Sequence, residues 1–172
     1  MVLTKRRTLW LALYIASIVI ANAMTAHLGL IPIGFGLVVT AGTLAAGAAL
    51  IVRDAVQKTS PRSLLFGAIV VGALVSSLTS SPSLAVASGL AFLVSELVDT
   101  AVFTPLRSRL ALAVVLSSVV SAPIDTVLFL HLAGFPVTWA SVVGQLIVKT
   151  ALALMVAGYL VRKERNAVPI WR

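Results

Sequence analysis

Four charged side chains stand inside long apolar runs of this 172-residue chain: Glu96, Asp99, Asp125 and Lys149. On insertion scales each charged residue near the centre of a bilayer costs about 2.5–3.5 kcal/mol. Residues of this kind face a bundle interior or a cavity, and by default they mark a ligand or ion pathway. A carboxylate there can accept paired N–H donors in charge-assisted hydrogen bonds, and an ammonium can donate to a carbonyl or neutralise one acid. Three carboxylates face one ammonium, so a proton, a cation or a donor-rich ligand is needed to balance the remainder. The purely architectural alternative is an ion pair, Lys149 with Asp125 or with Glu96, that locks helices together.

Helical spacing says which side chains share a face, because residues at i, i+3, i+4 and i+7 form one stripe. The stripe around the first two acids is Phe92, Glu96, Asp99 and Phe103. The next run offers Ser118, Ser121, Asp125 and Phe129, and the last offers Ser141, Gln145 and Lys149. The first two runs add Tyr14, Asn22 and Thr25, and Thr40 and Thr43. We expect these stripes to converge on one polar cavity with aromatic walls, the usual composition of a small-ligand site. The substrate-binding candidates are therefore Glu96, Asp99, Asp125, Lys149, Gln145, Asn22, Phe92 and Phe103.

Other chemistries lack their residues. There is no cysteine, which excludes disulfides and thiolate metal sites, and His27 and His131 lie on different runs with no HExxH spacing. No G-x-S-x-G nucleophile is present, and no nucleotide-binding P-loop. No catalytic residue, metal or cofactor is expected, and the chain is read as a non-enzyme. The net charge of +8 does not signal nucleic acid, because the basic residues sit in small clusters between apolar runs with no aromatic-basic groove pattern.

The elements that must carry these side chains follow from composition. Hydrophobic residues make up 60% of the chain and charged ones 10%, against about 25% charged in a typical soluble domain. Lipid is the solvent such a surface suits. Six apolar runs stand out, at about 9–30, 33–52, 63–80, 83–106, 110–132 and 137–161, and a spanning helix needs roughly 20 residues. The expected fold is all-α, a single six-transmembrane-helix bundle over residues 1–172. Pro32, Ser60-Pro61, Ser81-Pro82, Pro105 and Gly134-Phe135-Pro136 punctuate the runs.

Basic residues alternate with the runs: Lys5–Arg7, then Arg53, Lys58 and Arg62, then Arg107 and Arg109, then Arg162, Lys163, Arg165 and Arg172. The intervening connections carry no Lys or Arg. Positive residues concentrate on the cytoplasmic side, which places both termini there. Lys5-Arg6-Arg7, an apolar stretch and Ala21-Asn22-Ala23 also resemble a cleavable signal peptide; the length of the apolar run favours a retained span. Trp10 and Trp139 read as interface anchors, and the small residues of the second run as close helix contacts.

Two runs share a phrase. Ser95-Glu96-Leu97-Val98-Asp99-Thr100-Ala101-Val102-Phe103 parallels Ser121-Ala122-Pro123-Ile124-Asp125-Thr126-Val127-Leu128-Phe129, both S-x-x-[VI]-D-T-x-x-F. The runs are expected to be antiparallel, so the phrase recurs inverted, as internal repeats in transporters do. With Val52-Arg53-Asp54-Ala55-Val56-Gln57 and Gly144-Gln145-Leu146-Ile147-Val148-Lys149, these phrases resemble the queuosine precursor transporters, also called the vitamin uptake transporter family. The likeness runs from the first apolar run to the last.

The resemblance implies a six-helix fold similar to the substrate-binding components of energy-coupling-factor transporters. It implies uptake of 7-deazaguanine bases, with Arg53 and Asp54 as a gate, in a bacterial inner membrane. The partners it implies are a purine-like small molecule and the bilayer, with an energising module or a homo-oligomer as further options. Glu96 could accept the two N–H groups of a guanine-like edge, Lys149 or Gln145 could donate to O6, and Phe92 or Phe103 could stack on the base. Two alternatives stay open: a substrate-binding subunit of a multi-chain vitamin transporter, and a non-transporting structural membrane protein.

Overall fold

The computed structural model describes residues 4–106 and 110–166, without the side chains of 48, 50, 51, 54, 55, 57, 58, 62, 110, 111, 113, 114, 153 and 156–166. Arg107, Arg109, Arg172 and the side chains of Asp54, Lys58, Arg62, Arg162, Lys163 and Arg165 therefore lie outside the described residues. The order of elements is α1 (Lys5–Leu28), β1 (Leu30–Gly34), β2 (Leu37–Thr40), α2 (Gly42–Thr59), α3 (Arg62–Ser76), α4 (Pro82–Leu106), α5 (Leu110–Leu132) and α6 (Trp139–Asn166).

Each apolar run has its helix, but the second run is helical only from Gly42. Its front, expected to open a spanning helix at residue 33, is instead the second half of an antiparallel hairpin. Local chemistry explains the difference. Pro32 offers no N–H to a helix, and Gly34, Phe35 and Gly36 all adopt positive φ, at 95°, 53° and 74°, which only a turn uses. The strands around them pair across the hairpin, β-branched Ile31 with Val39 and Pro32 with Val38. The Ala41 N–H donates to the Gly29 carbonyl at 2.9 Å and closes the base. Backbone groups are thus satisfied internally, as an apolar setting demands.

Among the described residues three helical segments are long and apolar enough to cross a membrane: Lys5–Leu28, Pro82–Leu106 and Val115–Leu132. Ser63–Ser76 and Trp139–Leu152 are shorter apolar helices. The outward faces are rich in exposed aliphatics such as Leu13, Ile20, Leu74, Leu97, Val119 and Leu154, a surface far more apolar than water tolerates. Inside, Tyr14 and Ile18 of α1 pack with Val56 of α2 and with Leu65 and Ile69 of α3.

Helix starts are built by polar residues in the connections. The Ser81 hydroxyl accepts the Leu84 N–H at 3.2 Å, with Pro82 as the first helical residue of α4. At α6, the Thr138 N–H donates to Ser141 Oγ at 3.0 Å and the Ser141 N–H donates to Thr138 Oγ1 at 3.2 Å, a reciprocal cap. At the opposite end, Arg7 Nε donates to the Thr59 carbonyl at 2.7 Å, so the first two basic segments share one end of the bundle.

Two glycines let the hairpin and α2 approach the helices. A Cβ on Gly42 would collide with the Ala21 carbonyl of α1, and one on Gly144 would collide with the Val38 carbonyl of β2. Backbone cannot withdraw as a side chain can. Gly144→Ala is expected to lower stability by about 1–3 kcal/mol through overpacking, read as a lower Tm of the detergent-solubilised protein. Gly67→Ala meets open space and should leave Tm unchanged or slightly raised; equal effects at both positions would refute this packing account.

Candidate substrate cavity

The polar stripes of five helices and the end of β2 meet around one small cavity. Asn22 and Thr25 of α1, Thr40 of β2, Thr43 and Ala46 of α2, Ser88 and Phe92 of α4, Asp125 and Phe129 of α5, and Gln145 and Lys149 of α6 all line it. Its volume is about 30 Å³, room for one or two waters. Local hydrogen bonds shape the rim. The Gly42 N–H donates to Thr25 Oγ1 at 3.1 Å, and the Thr40 and Thr43 hydroxyls lie 2.8 Å apart.

Two amides in the wall stand out. Asn22 and Gln145 are 2% and 1% exposed, and neither Asn22 Nδ2 nor Gln145 Nε2 has a hydrogen-bond partner. Leaving a buried donor unmet costs about 1–3 kcal/mol. A cavity holding two such donors can receive a group that brings acceptors.

Lys149 supplies the charge. Its ammonium donates to Asp125 Oδ2 at 2.5 Å and to Thr126 Oγ1 at 2.9 Å. Ser95 of α4 donates to the other carboxylate oxygen of Asp125 at 3.4 Å. This contact joins the two copies of the repeated phrase, the serine of one to the aspartate of the other.

The remaining acids form a second cluster. Arg53 Nη2 lies 2.6 Å from Glu96 Oε2 and 3.0 Å from Asp99 Oδ2. Arg53 follows Ala46 of the cavity wall by seven residues, about 10 Å along α2, and Glu96 and Asp99 follow Phe92 by one and two turns along α4. The cluster therefore sits beyond the cavity, toward the end of the bundle where Arg7 meets Thr59.

Of the eight substrate-binding candidates, the fold brings Asn22, Phe92, Asp125, Gln145 and Lys149 into one wall. Glu96 and Asp99 stand next to that wall on Arg53, and Phe103 is not part of it. The ion pair involving Lys149 is made with Asp125 rather than Glu96. The charge count from the apolar runs alone changes as well, since Arg53 reaches into the bundle as a second cation for two of the three acids. Sequence reasoning placed Arg53 in a basic connection and, through the family resemblance, at a gate; the signal that it reaches the acids was its place seven residues after Ala46, on the same stripe of α2. Thr126 was within reach too, as the residue that follows the aspartate in the repeated phrase.

A family model for vitamin uptake transporters matches residues 6–161, most of the chain. The chain belongs to the vitamin uptake transporter family. No curated protein and no solved structure matches it. A vitamin uptake transporter is a multi-pass membrane protein that handles a small molecule, and the exposed aliphatic surface and polar interior of this fold are the two surfaces that such work requires. The matched residues take in the hairpin, both charge clusters and every residue that lines the cavity.

Proposed function

We propose that this vitamin uptake transporter carries a queuosine precursor, a 7-deazaguanine base, inward across the bacterial cell membrane. The observation that carries the proposal is the pair of buried, unmet amide donors of Asn22 and Gln145, set beside a carboxylate, an ammonium and two phenyl rings in one cavity. A guanine-like base presents a carbonyl and a ring nitrogen as acceptors and adjacent N–H groups as donors. Asn22 and Gln145 meet the acceptors. Asp125, rather than Glu96, whose carboxylate is held by Arg53, is the anion that meets the ligand's N–H donors, an aminomethyl group first among them. Phe92 and Phe129 flank the ring, and base–aromatic stacking contributes about 1–3 kcal/mol per base.

The Arg53–Glu96–Asp99 cluster then acts as the gate between the cavity and the cytoplasm, with both termini on that side. Opening it would break the ion pairs that join α2 to α4.

The test is a rescue assay. Cells unable to make queuosine precursors express this chain and receive 7-cyano- or 7-aminomethyl-7-deazaguanine at low external concentration. Queuosine is expected in their tRNA within one growth cycle, and not in cells carrying the empty vector. If neither compound yields tRNA queuosine while the protein accumulates in the membrane, the 7-deazaguanine assignment is wrong.

A further inference from the structure

The cavity is far smaller than anything it could carry. A volume of about 30 Å³ holds about two waters, each of which needs about 10–15 Å³ of such space, and a bicyclic base displaces several waters. Room has to come from a side chain that leaves. Most of the wall is made of side chains too short to withdraw, such as Thr25, Thr43, Ala46 and Ser88. Lys149 is the wall residue with the longest flexible stem, four carbons ending in a compact ammonium.

That ammonium is not idle. It is seated on Asp125 Oδ2 at 2.5 Å and Thr126 Oγ1 at 2.9 Å, and Lys149 and Asp125 are 11% and 15% exposed at the side chain. If Lys149 swings out, Asp125 is left as a buried carboxylate without its cation, and breaking a buried pair in this way is strongly unfavourable. A neutral ligand cannot offset that loss. A ligand with its own ammonium can, because it replaces one cation on Asp125 by another and keeps that carboxylate paired.

We infer that the cavity selects ligands bearing a primary ammonium group, and that Lys149 holds the ligand's cation position while the cavity is empty. The inference rests on the reading of this cavity as the transport site, and it narrows the substrate class. Between the two 7-deazaguanine bases it favours the aminomethyl form over the cyano form. It also assigns Lys149 a role distinct from ligand binding, as the tethered group that keeps Asp125 neutralised between transport events.

The experiment compares uptake of the two bases at equal concentration, in wild type and in the double variant Asp125→Asn, Lys149→Met, which removes both charges together and strands neither. Wild type is expected to prefer the aminomethyl base by at least about tenfold, and the double variant to bring the ratio to within about twofold of one. Equal uptake of both bases by wild type, or a preference that survives in the double variant, overturns the inference. A second arm needs no 7-deazaguanine: thermal unfolding of the purified protein with millimolar benzylamine or benzonitrile. Benzylamine is expected to raise the Tm of wild type and not that of the double variant. Failure of wild-type uptake with both bases, together with a benzylamine-specific shift, overturns the 7-deazaguanine reading and upholds the ammonium site. Absence of that shift overturns the ammonium site itself.

Discussion

Arg53→Met is expected to destabilise the folded protein by about 3–5 kcal/mol, the usual cost of removing one partner from a buried charge cluster. The guanidinium lies within 3.0 Å of both Glu96 and Asp99, and Glu96 is 5% exposed at its side chain. Without it, two carboxylates lose the cation held between them, in a region that lipid surrounds. The readout is accumulation in the membrane fraction together with the Tm of the solubilised protein. The companion variant tells whether charge or shape is responsible. Arg53→Met combined with Glu96→Gln and Asp99→Asn removes the whole charge cluster, and most of the lost accumulation should return. A single variant as stable as wild type would mean that the cluster contributes nothing to the fold.

Gln145→Leu is expected to behave in the opposite way. The residue is buried and its amide N–H has no partner, so replacing it with an apolar side chain of similar length removes an unmet donor. Relief of about 1–3 kcal/mol is available, and Tm should stay the same or rise. Uptake should fall at least about tenfold, since a lost hydrogen bond to ligand in a dry site is worth that much or more. Stability and uptake measured on the same preparation decide the matter. A lowered Tm with uptake retained would make Gln145 a packing residue and remove the main support for a ligand site at this position. Asn22→Leu on α1 should repeat the pattern, because its amide stands in the same relation to the cavity.

These two variants separate the parts of the polar interior. Arg53, Glu96 and Asp99 pair with one another and join α2 to α4; the amide donors of Asn22 and Gln145 face the cavity without a partner in the protein. A structural membrane protein would use the first arrangement throughout, because an unmet buried donor is a cost that packing alone has no reason to retain. A transporter needs both, a framework that persists and a site that is completed only by its ligand.

Much of the cavity was legible before any coordinates. Five of its wall residues, Asn22, Phe92, Asp125, Gln145 and Lys149, follow from placing polar side chains on helical stripes. That step works because the 3.6-residue period is a local property of the chain and survives whatever the helices later pack against. Phe103 illustrates the limit. It shares the stripe with Phe92, yet it lies three turns further along α4, and a stripe says nothing about depth. The hairpin at 30–40 illustrates another. Hydrophobic content alone continued the second helix backward through Ile33, whereas Pro32 and three consecutive positive-φ residues dictate a turn, and hydropathy does not register backbone geometry.

The sequence by itself determined that this protein lives in lipid, that its runs are helical, and that its embedded acids and lysine must turn inward, because hydrophobic content and helical period are written residue by residue. Tertiary structure alone decided which cation meets which acid. Arg53 and Asp99 are 46 residues apart and Lys149 and Asp125 are 24 apart, so their pairing depends on how helices lie against one another. The same packing left two amides without partners at the centre of the bundle, and it is this shortage, invisible along the chain, that turns a polar interior into a site.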